Sequence, residues 1–488
     1  MRSLLISADE GRNISAAIST AFVIAILSNY CSSSEMFLSY FLSCLILFLI
    51  VAVLVINKFK RNHFDLFESI NFVMFNCFVL FFIKSIFVIE VGSMYFDLSI
   101  DTDLKAFNLA LIYSLLWMII FILSYYSRFP NRIYKKIPRL PELSISRLKF
   151  WLPILIVMSA SAATIKMGMI GGIKSYVLLP ETAKAALGTG YISIFELLLP
   201  ASYLLSLNCS IKFRQRIFFV YTIISGSIWF FLAVLVTFSK GGVFNFTALT
   251  LIIVLHNSRI KINFKKILSF GVIIFISVGM FIFIENWRMH SGSINLGDSF
   301  VSNVYEQFLI TREAIESSMS DSKVIATLTP FLRREGIEAL TIIIRDTYEL
   351  MPLETLRDII ISPIPRVLWD AKPYVSEGVT FGHRYLGAEG IAAYATTMPG
   401  SGYTTLGVVG VILNAWFASI VVRIMYNYCI KSNNIFTGSF VYSILFMRIG
   451  YFTEVGIVDF ISGFIPLVLD AALIVFLTRK RPTSTSHF

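Results

Sequence analysis

The sequence MFLSYFLSCLILFLIVAVLVI, residues 36–56, runs for 21 positions without a charged side chain. An α-helix of this length is about 30 Å long, which matches the hydrocarbon thickness of a bilayer. Similar apolar segments recur along the chain, which predicts an all-α polytopic membrane protein with about twelve transmembrane helices. The predicted spans are 14–31, 36–56, 69–91, 106–127, 149–167, 191–208, 217–238, 242–256, 267–285, 402–422, 435–453 and 457–478.

The composition excludes a soluble globular protein. Of the 488 residues, 56% are hydrophobic and 15% are charged, and the mean hydropathy is +0.76. Soluble domains contain about 25% charged residues. The net charge of +11 is explained by Lys and Arg in cytoplasmic loops, as is usual in polytopic proteins, so no nucleic-acid partner is expected.

The distribution of basic residues orients the predicted helices. With a cytoplasmic N-terminus, every short basic loop falls on the same side of the membrane. This gives three regions: 1–285 with helices one to nine, a long outer loop over 286–401, and 402–488 with helices ten to twelve and a cytoplasmic tail. The basic loops are Lys58–Arg61, Arg128–Lys149, Lys212–Arg216, Arg259–Lys266, Lys431 and Arg479–Arg481.

The long loop is predicted to contain surface helices. The apolar spacing favours one helix over 301–317 and a second over 331–350, the second lying at the membrane surface. Pro352, Pro363 and Pro365 then interrupt regular structure.

A cationic and aromatic stretch follows in SPIPRVLWDAKPY, residues 362–374. Arg366 and Lys372 are candidate ligands for an anion that carries phosphate oxygens, because a guanidinium binds such oxygens in a bidentate manner. Trp369 and Tyr374 are candidates for stacking on a sugar. The alternative is that these side chains anchor the loop at the membrane interface, where Trp, Arg and Lys are common.

A histidine beside an arginine follows in TFGHRYLG, residues 380–387. His383 is the candidate catalytic base, because imidazole accepts a proton near neutral pH, and Arg384 is a further candidate anion ligand. An ordinary surface histidine remains the alternative. No residues at metal-ligand spacing surround it, so neither a metal nor another cofactor is expected.

Two further cations are candidates for the same anion. Lys240 lies in TFSKGGVF between two predicted spans, where Gly241 and Gly242 are expected to form a tight outer turn. Arg288 follows the ninth predicted span. A solvated turn lysine and pairing of Arg288 with loop acids are the alternatives.

Three charged residues lie within apolar segments, namely Lys84, Arg448 and Asp470. An unpaired charge there costs about 2.5–3.5 kcal/mol or more, so these side chains should face the bundle interior and be paired. Glu454 and Asp459 are the candidate partners of Arg448. The pairs are either structural or line a cavity that opens outward.

Three features resemble the O-antigen and capsule repeat-unit polymerases, the Wzy-type family. They are the SKGG segment (239–242), the IPRVLWDAKP segment (364–373), and MPGSGYTTLGVVGVIL (398–413), in which Gly407 and Gly410 are similar to the family's Gly-x-x-Gly. The arrangement of many spans with one long outer loop also resembles that family. Unlike many members, the chain has no acid at Tyr403–Leu406, and the spacing of His383 differs.

The resemblance implies a glycosyltransferase of GT-C type in the bacterial inner membrane that needs no metal. Its substrates would be undecaprenyl-diphosphate-linked oligosaccharides, and membrane lipid and a chain-length regulator protein would be further partners. The growing glycan would move from its lipid diphosphate to a sugar of a new lipid-linked repeat unit. Arg366, Lys372, Arg288, Arg384 and Lys240 would bind the diphosphate, and His383 would act as the base.

Two other functions remain open. An O-antigen ligase would use the same donor but transfer the glycan to lipid A-core. A flippase for the lipid-linked repeat unit would have about as many spans, although it needs no outer loop of this length and the chain shows no repeat between its halves.

Overall fold

In the part of the chain that it describes, the computed structural model is almost entirely helical, and six helices there are long and apolar enough to cross a membrane. It describes residues 36–60, 65, 67–91, 100–169, 190–232, 240–257, 336–347, 349–362, 364, 369, 371–373, 375–388, 394–431 and 434–480. Within these residues the only extended pairing is a single antiparallel bridge between Leu143 and Arg479. The chain is therefore an all-α membrane protein.

The helices are numbered here in chain order, with a π-helical segment Phe78–Ile83 between α2 and α3. They are α1 Met36–Lys60, α2 Ser69–Cys77, α3 Lys84–Val91, α4 Ile100–Tyr126, α5 Arg128–Tyr134, α6 Ile145–Met169, α7 Gly190–Phe213, α8 Arg216–Phe230, α9 Lys240–Asn257, α10 Gly336–Asp346, α11 Pro352–Ile361, α12 Glu377–Leu386, α13 Met398–Ile430, α14 Ile435–Ile449 and α15 Ile457–Thr478.

Ten of the predicted spans coincide with described helices. Six of these have the length and hydropathy of membrane spans, and four are shorter apolar helices, Leu197–Phe213, Arg216–Phe230, Gly242–His256 and Ile435–Ile449. The predicted spans 14–31 and 267–285 lie outside the described residues. Lys240 and Gly241–Gly242, predicted as a turn, form the first turn of α9 instead.

The interior of the bundle is rich in aromatic side chains. Trp117 on α4 is fully buried and stacks on Phe121, with ring centroids 5.0 Å apart. Its indole Nε1 donates a hydrogen bond of 3.0 Å to Asn414 Oδ1 on α13. A buried indole N–H needs such a partner, and this bond fixes α4 against α13.

Three of the basic segments meet at one end of the bundle. The backbone amide of Ser144 donates to the carbonyl of Thr478 at 2.8 Å, and the backbone amide of Lys480 donates to the backbone carbonyl of Glu142 at 2.7 Å. The side chain of Asn434 donates to the carbonyl of Pro141 at 2.9 Å. The loop before α6, the loop before α14 and the end of α15 thus share one side, as the charge pattern predicted.

Two buried ion pairs cross between helices. Lys84 Nζ on α3 lies 3.0 Å from Glu338 Oε2 on α10, and Arg423 Nη1 on α13 lies 2.8 Å from Glu68 Oε1. All four residues are buried. The expectation that Lys84 faces the interior with a partner is confirmed, and the partner comes from the long loop.

Helix α13 is broken near its start. Leu406 (φ −139°, ψ 24°) and Gly407 (φ 61°, ψ −142°) have non-helical dihedral angles. A Cβ added to Gly410 would lie only 1.9 Å from the carbonyl oxygen of Gly402, although eight residues of straight helix rise about 12 Å. Residues 398–405 therefore fold back against 408–430, and the predicted Gly-x-x-Gly pair, Gly407 and Gly410, forms this fold.

The long loop differs from the prediction in two respects. Helix α10 is buried from Gly336 to Ile343 between α4 and α13 instead of lying at the membrane surface, and residues 331–335 of the predicted helix lie outside the described residues. The loop also contains α11, with Pro352 in its first turn, and α12. The predicted helix 301–317 lies outside the described residues.

Candidate functional site

The helices of the long loop form a half-open cleft against the first turns of α13 and α15. Because α13 and α15 both run from this cleft toward the basic loops, the cleft lies at the opposite end of the bundle. Its walls combine carboxylates, hydroxyls and two aromatic rings, and we call it the acidic cleft. It is lined by Ile343, Met351, Glu354, Thr355, Asp358, Glu377, Thr380, Phe381, Tyr385, Thr396, Ser401, Thr404 and Val458.

Helix α11 is attached to the fold-back segment of α13. The backbone amide of Met351 donates to the carbonyl of Thr404 at 2.9 Å, and the hydroxyl of Thr405 donates to that of Thr355 at 3.2 Å. Glu354 and Asp358 lie on this helix at a spacing of one turn and line the cleft together. The break in α13 therefore positions two carboxylates.

Helix α12 begins against the start of α15. The carboxylate of Asp459 accepts hydrogen bonds from the amide of Gly378 (3.3 Å) and the hydroxyl of Ser376 (3.5 Å). An anion at a helix N-terminus is favourable because the free N–H groups and the helix dipole are positive there. This contact places Glu377, the first residue of α12, in the wall of the cleft.

Glu377 is held by a hydroxyl and a backbone amide. Its Oε1 accepts a hydrogen bond of 2.6 Å from Ser401, and its Oε2 accepts one of 3.3 Å from the amide of Val458. Gly456 makes room for the carboxylate, since a Cβ on Gly456 would lie 1.5 Å from Oε2. The geometry fixes both oxygens while the side chain still lines the cleft.

The environment of Glu377 favours its protonated form near neutral pH. Burial raises the pKa of the Glu377 carboxyl to about 8, the negative charge of Asp459 adds to this, and the Ser401 and Val458 hydrogen bonds oppose it. A carboxyl in this range exchanges protons readily at physiological pH, as general acids and bases in enzymes do.

Thr396 supplies a hydroxyl without a partner. The residue is 6% exposed and lines the cleft, and its Oγ1 makes no hydrogen bond to any described residue. A buried hydroxyl that is left unpaired costs about 1–3 kcal/mol. Such a group in the wall of a cleft is suited to a ligand with hydrogen-bonding groups of its own.

Arg448 lies behind the cleft, on α14. Its Nη2 donates to the backbone carbonyl of Asp459, and its guanidinium packs on Gly463. Asp459, one of the two predicted partners, is therefore the residue that Arg448 contacts, through its carbonyl rather than its carboxylate. One carboxylate oxygen of Asp470, by contrast, has no hydrogen-bond partner among the described residues.

The structure places Lys372 at the end of α11. Its ammonium donates to the carbonyls of Ser362 and Ile364, both at 2.8 Å. Unsatisfied carbonyls at a helix C-terminus attract a cation. Trp369, just before it in the chain, is 39% exposed.

His383 and Arg384 lie on α12, and neither lines the acidic cleft. Both side chains are exposed. Arg384 Nη2 donates to the carbonyl of Glu349 at 2.9 Å, and its guanidinium lies 5.6 Å from the ring centroid of Tyr385. Only Lys372, Trp369, His383 and Arg384 of the predicted site residues have described side chains.

The other predicted site residues fall outside the described part of the chain. These are Arg288, Arg366 and Tyr374, together with the side chain of Lys240, whose backbone starts α9.

The sequence analysis missed the residues of the acidic cleft. Glu377 and Ser401 stand apart from the cationic and aromatic stretch in the sequence, and neither belongs to a pattern of like residues. One signal was present: Glu377 follows Ser376 at the start of EGVTFGHRYL, where an apolar stripe on one face predicts an amphipathic helix. No sequence pattern predicts that Glu377 lies beside Val458 and Asp459, which are about 80 positions later in the chain.

Comparison of the chain with protein-family models, with curated proteins and with solved structures found no match.

Proposed function

We propose that the chain is a repeat-unit polysaccharide polymerase of the bacterial inner membrane, with about twelve spans and a GT-C-type arrangement. It would transfer a growing glycan from undecaprenyl diphosphate to a sugar hydroxyl of a new lipid-linked repeat unit, at the periplasmic face. The O-antigen ligase and the flippase are the competing functions.

The acidic cleft is the observation that carries this proposal. Its three carboxylates, Glu354, Asp358 and Glu377, accept hydrogen bonds, and its hydroxyls both donate and accept them. This is the chemistry that sugar hydroxyls require, and Phe381 and Tyr385 provide apolar faces for a sugar ring. The cleft lies at the end opposite the basic loops, which the positive-inside rule assigns to the periplasm.

The diphosphate of the donor would bind to the predicted cations. Arg366, with Arg288, Arg384 and Lys240, would neutralise the charge that develops on the leaving diphosphate, so that no metal is required. Lys372 would stabilise the turn that leads into Arg366, because it binds the carbonyls of residues 362 and 364. Trp369 and Tyr374 would stack on sugar. A base would accept the proton of the acceptor hydroxyl, and the sequence alone suggested His383 for that role.

A gene deletion followed by electrophoresis of the polysaccharide tests the proposal. Loss of a polymerase leaves lipid A-core with one repeat unit, whereas loss of a ligase or flippase leaves none. Wild-type protein should restore the ladder, and Arg366→Ala should not, although it is expressed equally. An unchanged ladder in the deletion strain would refute the proposal.

A further inference from the structure

The position of Glu377 suggests that it accepts a proton, which the predicted Arg and Lys residues cannot do. Its carboxylate is fixed by Ser401 and by the amide of Val458, and it lines the acidic cleft beside Asp358 and Thr396. Ser401 in turn accepts a hydrogen bond of 3.1 Å from the amide of Ile457. Two segments that are distant from Glu377 in sequence, one at Ser401 and one at Ile457–Val458, thus hold its carboxylate in a defined orientation, as catalytic groups require.

The hydroxyl of Thr396, which has no hydrogen-bond partner in the described part of the chain, is an independent indication of a ligand. It lies on the same side of the cleft, because a Cβ on Gly456 would contact both Glu377 Oε2 (1.5 Å) and Thr396 Oγ1 (2.7 Å). A neutral, polyhydroxylated ligand would form a hydrogen bond with this hydroxyl without adding negative charge to a cleft that already contains several carboxylates. A diphosphate would be repelled there.

We propose that the acidic cleft binds the acceptor sugar and that Glu377 is the catalytic base. This inference rests on the proposed polymerase function and assigns the acceptor half of its site. Thr396 would form a hydrogen bond with the acceptor sugar, and His383, exposed on the same helix, would not take part in proton transfer.

The proposed step transfers one proton and exchanges one bond. The hydroxyl proton of the acceptor sugar moves to the Glu377 carboxylate while its oxygen forms a bond to the anomeric carbon of the donor. The bond from that carbon to the diphosphate breaks, and undecaprenyl diphosphate leaves with the electron pair. Glu377 then releases the proton to water. No oxidant, reductant or metal is needed.

The charged groups around Glu377 determine how its activity depends on pH. Asp358 and Glu354 face it from α11 and Asp459 from α15, while Arg448 on α14 lies behind Asp459. The residues that α13 and α10 place in the cleft beside Glu377, Ser401 and Ile343, have no side chain that titrates. Burial and the negative charges of Asp459 and Asp358 retain the proton to a higher pH, so the pKa of Glu377 is raised to about 8.

The test is polymerisation by purified protein in liposomes. The substrate is the lipid-linked repeat unit that accumulates in a strain lacking the gene. Glu377→Gln should lower kcat/KM at least about 100-fold, and the matched change Glu142→Gln, in an exposed carboxylate at the opposite end, should leave it unchanged. The wild-type kcat/KM should rise about tenfold per pH unit below pH 8 and then level off.

The possible outcomes distinguish failure of the base assignment from failure of the proposed polymerase function. If wild-type protein makes no polymer, the polymerase function fails. If wild-type protein polymerises but Glu377→Gln is within threefold of it, or the wild-type profile is flat from pH 6 to pH 9, the base assignment is overturned. The wild-type profile decides the case even if Glu377→Gln does not fold.

The acceptor assignment has its own measurement. Thr396→Val, which keeps the shape of the side chain, should raise KM for the acceptor about 5- to 10-fold at nearly constant kcat. Thr164→Val, on the exposed face of α6, is the matched control. Equal KM values for Thr396→Val and wild type would overturn the placement of the acceptor sugar.

Discussion

Removing the ammonium of Lys84 should destabilise the protein strongly. Lys84 and Glu338 are 1% and 0% exposed, and their charged atoms are 3.0 Å apart. Lys84→Met leaves the carboxylate of Glu338 buried without its cation, which costs about 3–5 kcal/mol. An exposed pair contributes only about 0.2–1 kcal/mol. The pair also ties α10 to α3, and α10 contributes Ile343 to the acidic cleft.

The free energy of unfolding should be measured by denaturant titration of the purified protein in micelles. Lys480→Met, which removes an ion pair of 3.9 Å between residues that are 66% and 75% exposed, is the control. The double variant Lys84→Met, Glu338→Leu should recover most of the lost stability, because no charge remains buried. The reasoning is refuted if Lys84→Met loses no more stability than Lys480→Met.

Three further predictions concern the cleft and the helix break. Gly407→Ala should destabilise the protein by about 1–3 kcal/mol in the same titration, because φ of 61° and ψ of −142° suit glycine alone. The control Gly168→Ala, whose added Cβ meets no atom within 4 Å, should leave the stability nearly unchanged. Equal effects of the two substitutions would contradict the break in α13. Gly456→Ala should displace the Glu377 carboxylate and collapse the polysaccharide ladder at normal expression; a normal ladder would show that the carboxylate position is unimportant. The pKa of Glu377 in the folded state is about 8, above the usual 4.5, so between these pH values the folded state binds a proton that the unfolded state has released. The free energy of unfolding should therefore fall as pH rises from 4.5 to 8. Glu377→Gln should reduce this dependence of stability on pH, and an identical dependence in the variant would count against the raised pKa.

The membrane helices could be predicted from sequence because the bilayer imposes a simple rule. Every backbone polar group in lipid must be satisfied within the segment, so about 20 apolar residues specify a helix. Helices such as α1 and α15 match their predicted spans closely for this reason. The predicted boundary differs where a helix extends beyond its apolar segment: α4 begins at Ile100, whereas the predicted span begins at 106.

The loop helices were harder to predict because their environment is set by tertiary contacts. Helix α10 has an amphipathic pattern that suits a membrane surface, yet it packs inside the protein, where Lys84 neutralises its one buried acid, Glu338. The break in α13 was also hidden, because Gly407 and Gly410 were recognised as a motif but their close approach to Gly402 requires the folded chain.

The acidic cleft was not predicted from the sequence. Sequence patterns point to clusters of one residue type, and they indicated a cationic stretch around Arg366. The acidic cleft combines single residues from α11, α12, α13 and α15, and the group that orients Glu377 is a backbone amide, which no sequence pattern marks. The pKa of Glu377 depends on burial and on Asp459, which are properties of the assembled fold.

The most direct test of the central claim is to supply the purified protein, in liposomes, with lipid-linked repeat units alone. The account predicts lipid-linked products that carry two or more repeats and release of undecaprenyl diphosphate, without any lipid A-core acceptor. Products that appear only when lipid A-core is added, or movement of the repeat unit across the bilayer without elongation, would contradict it.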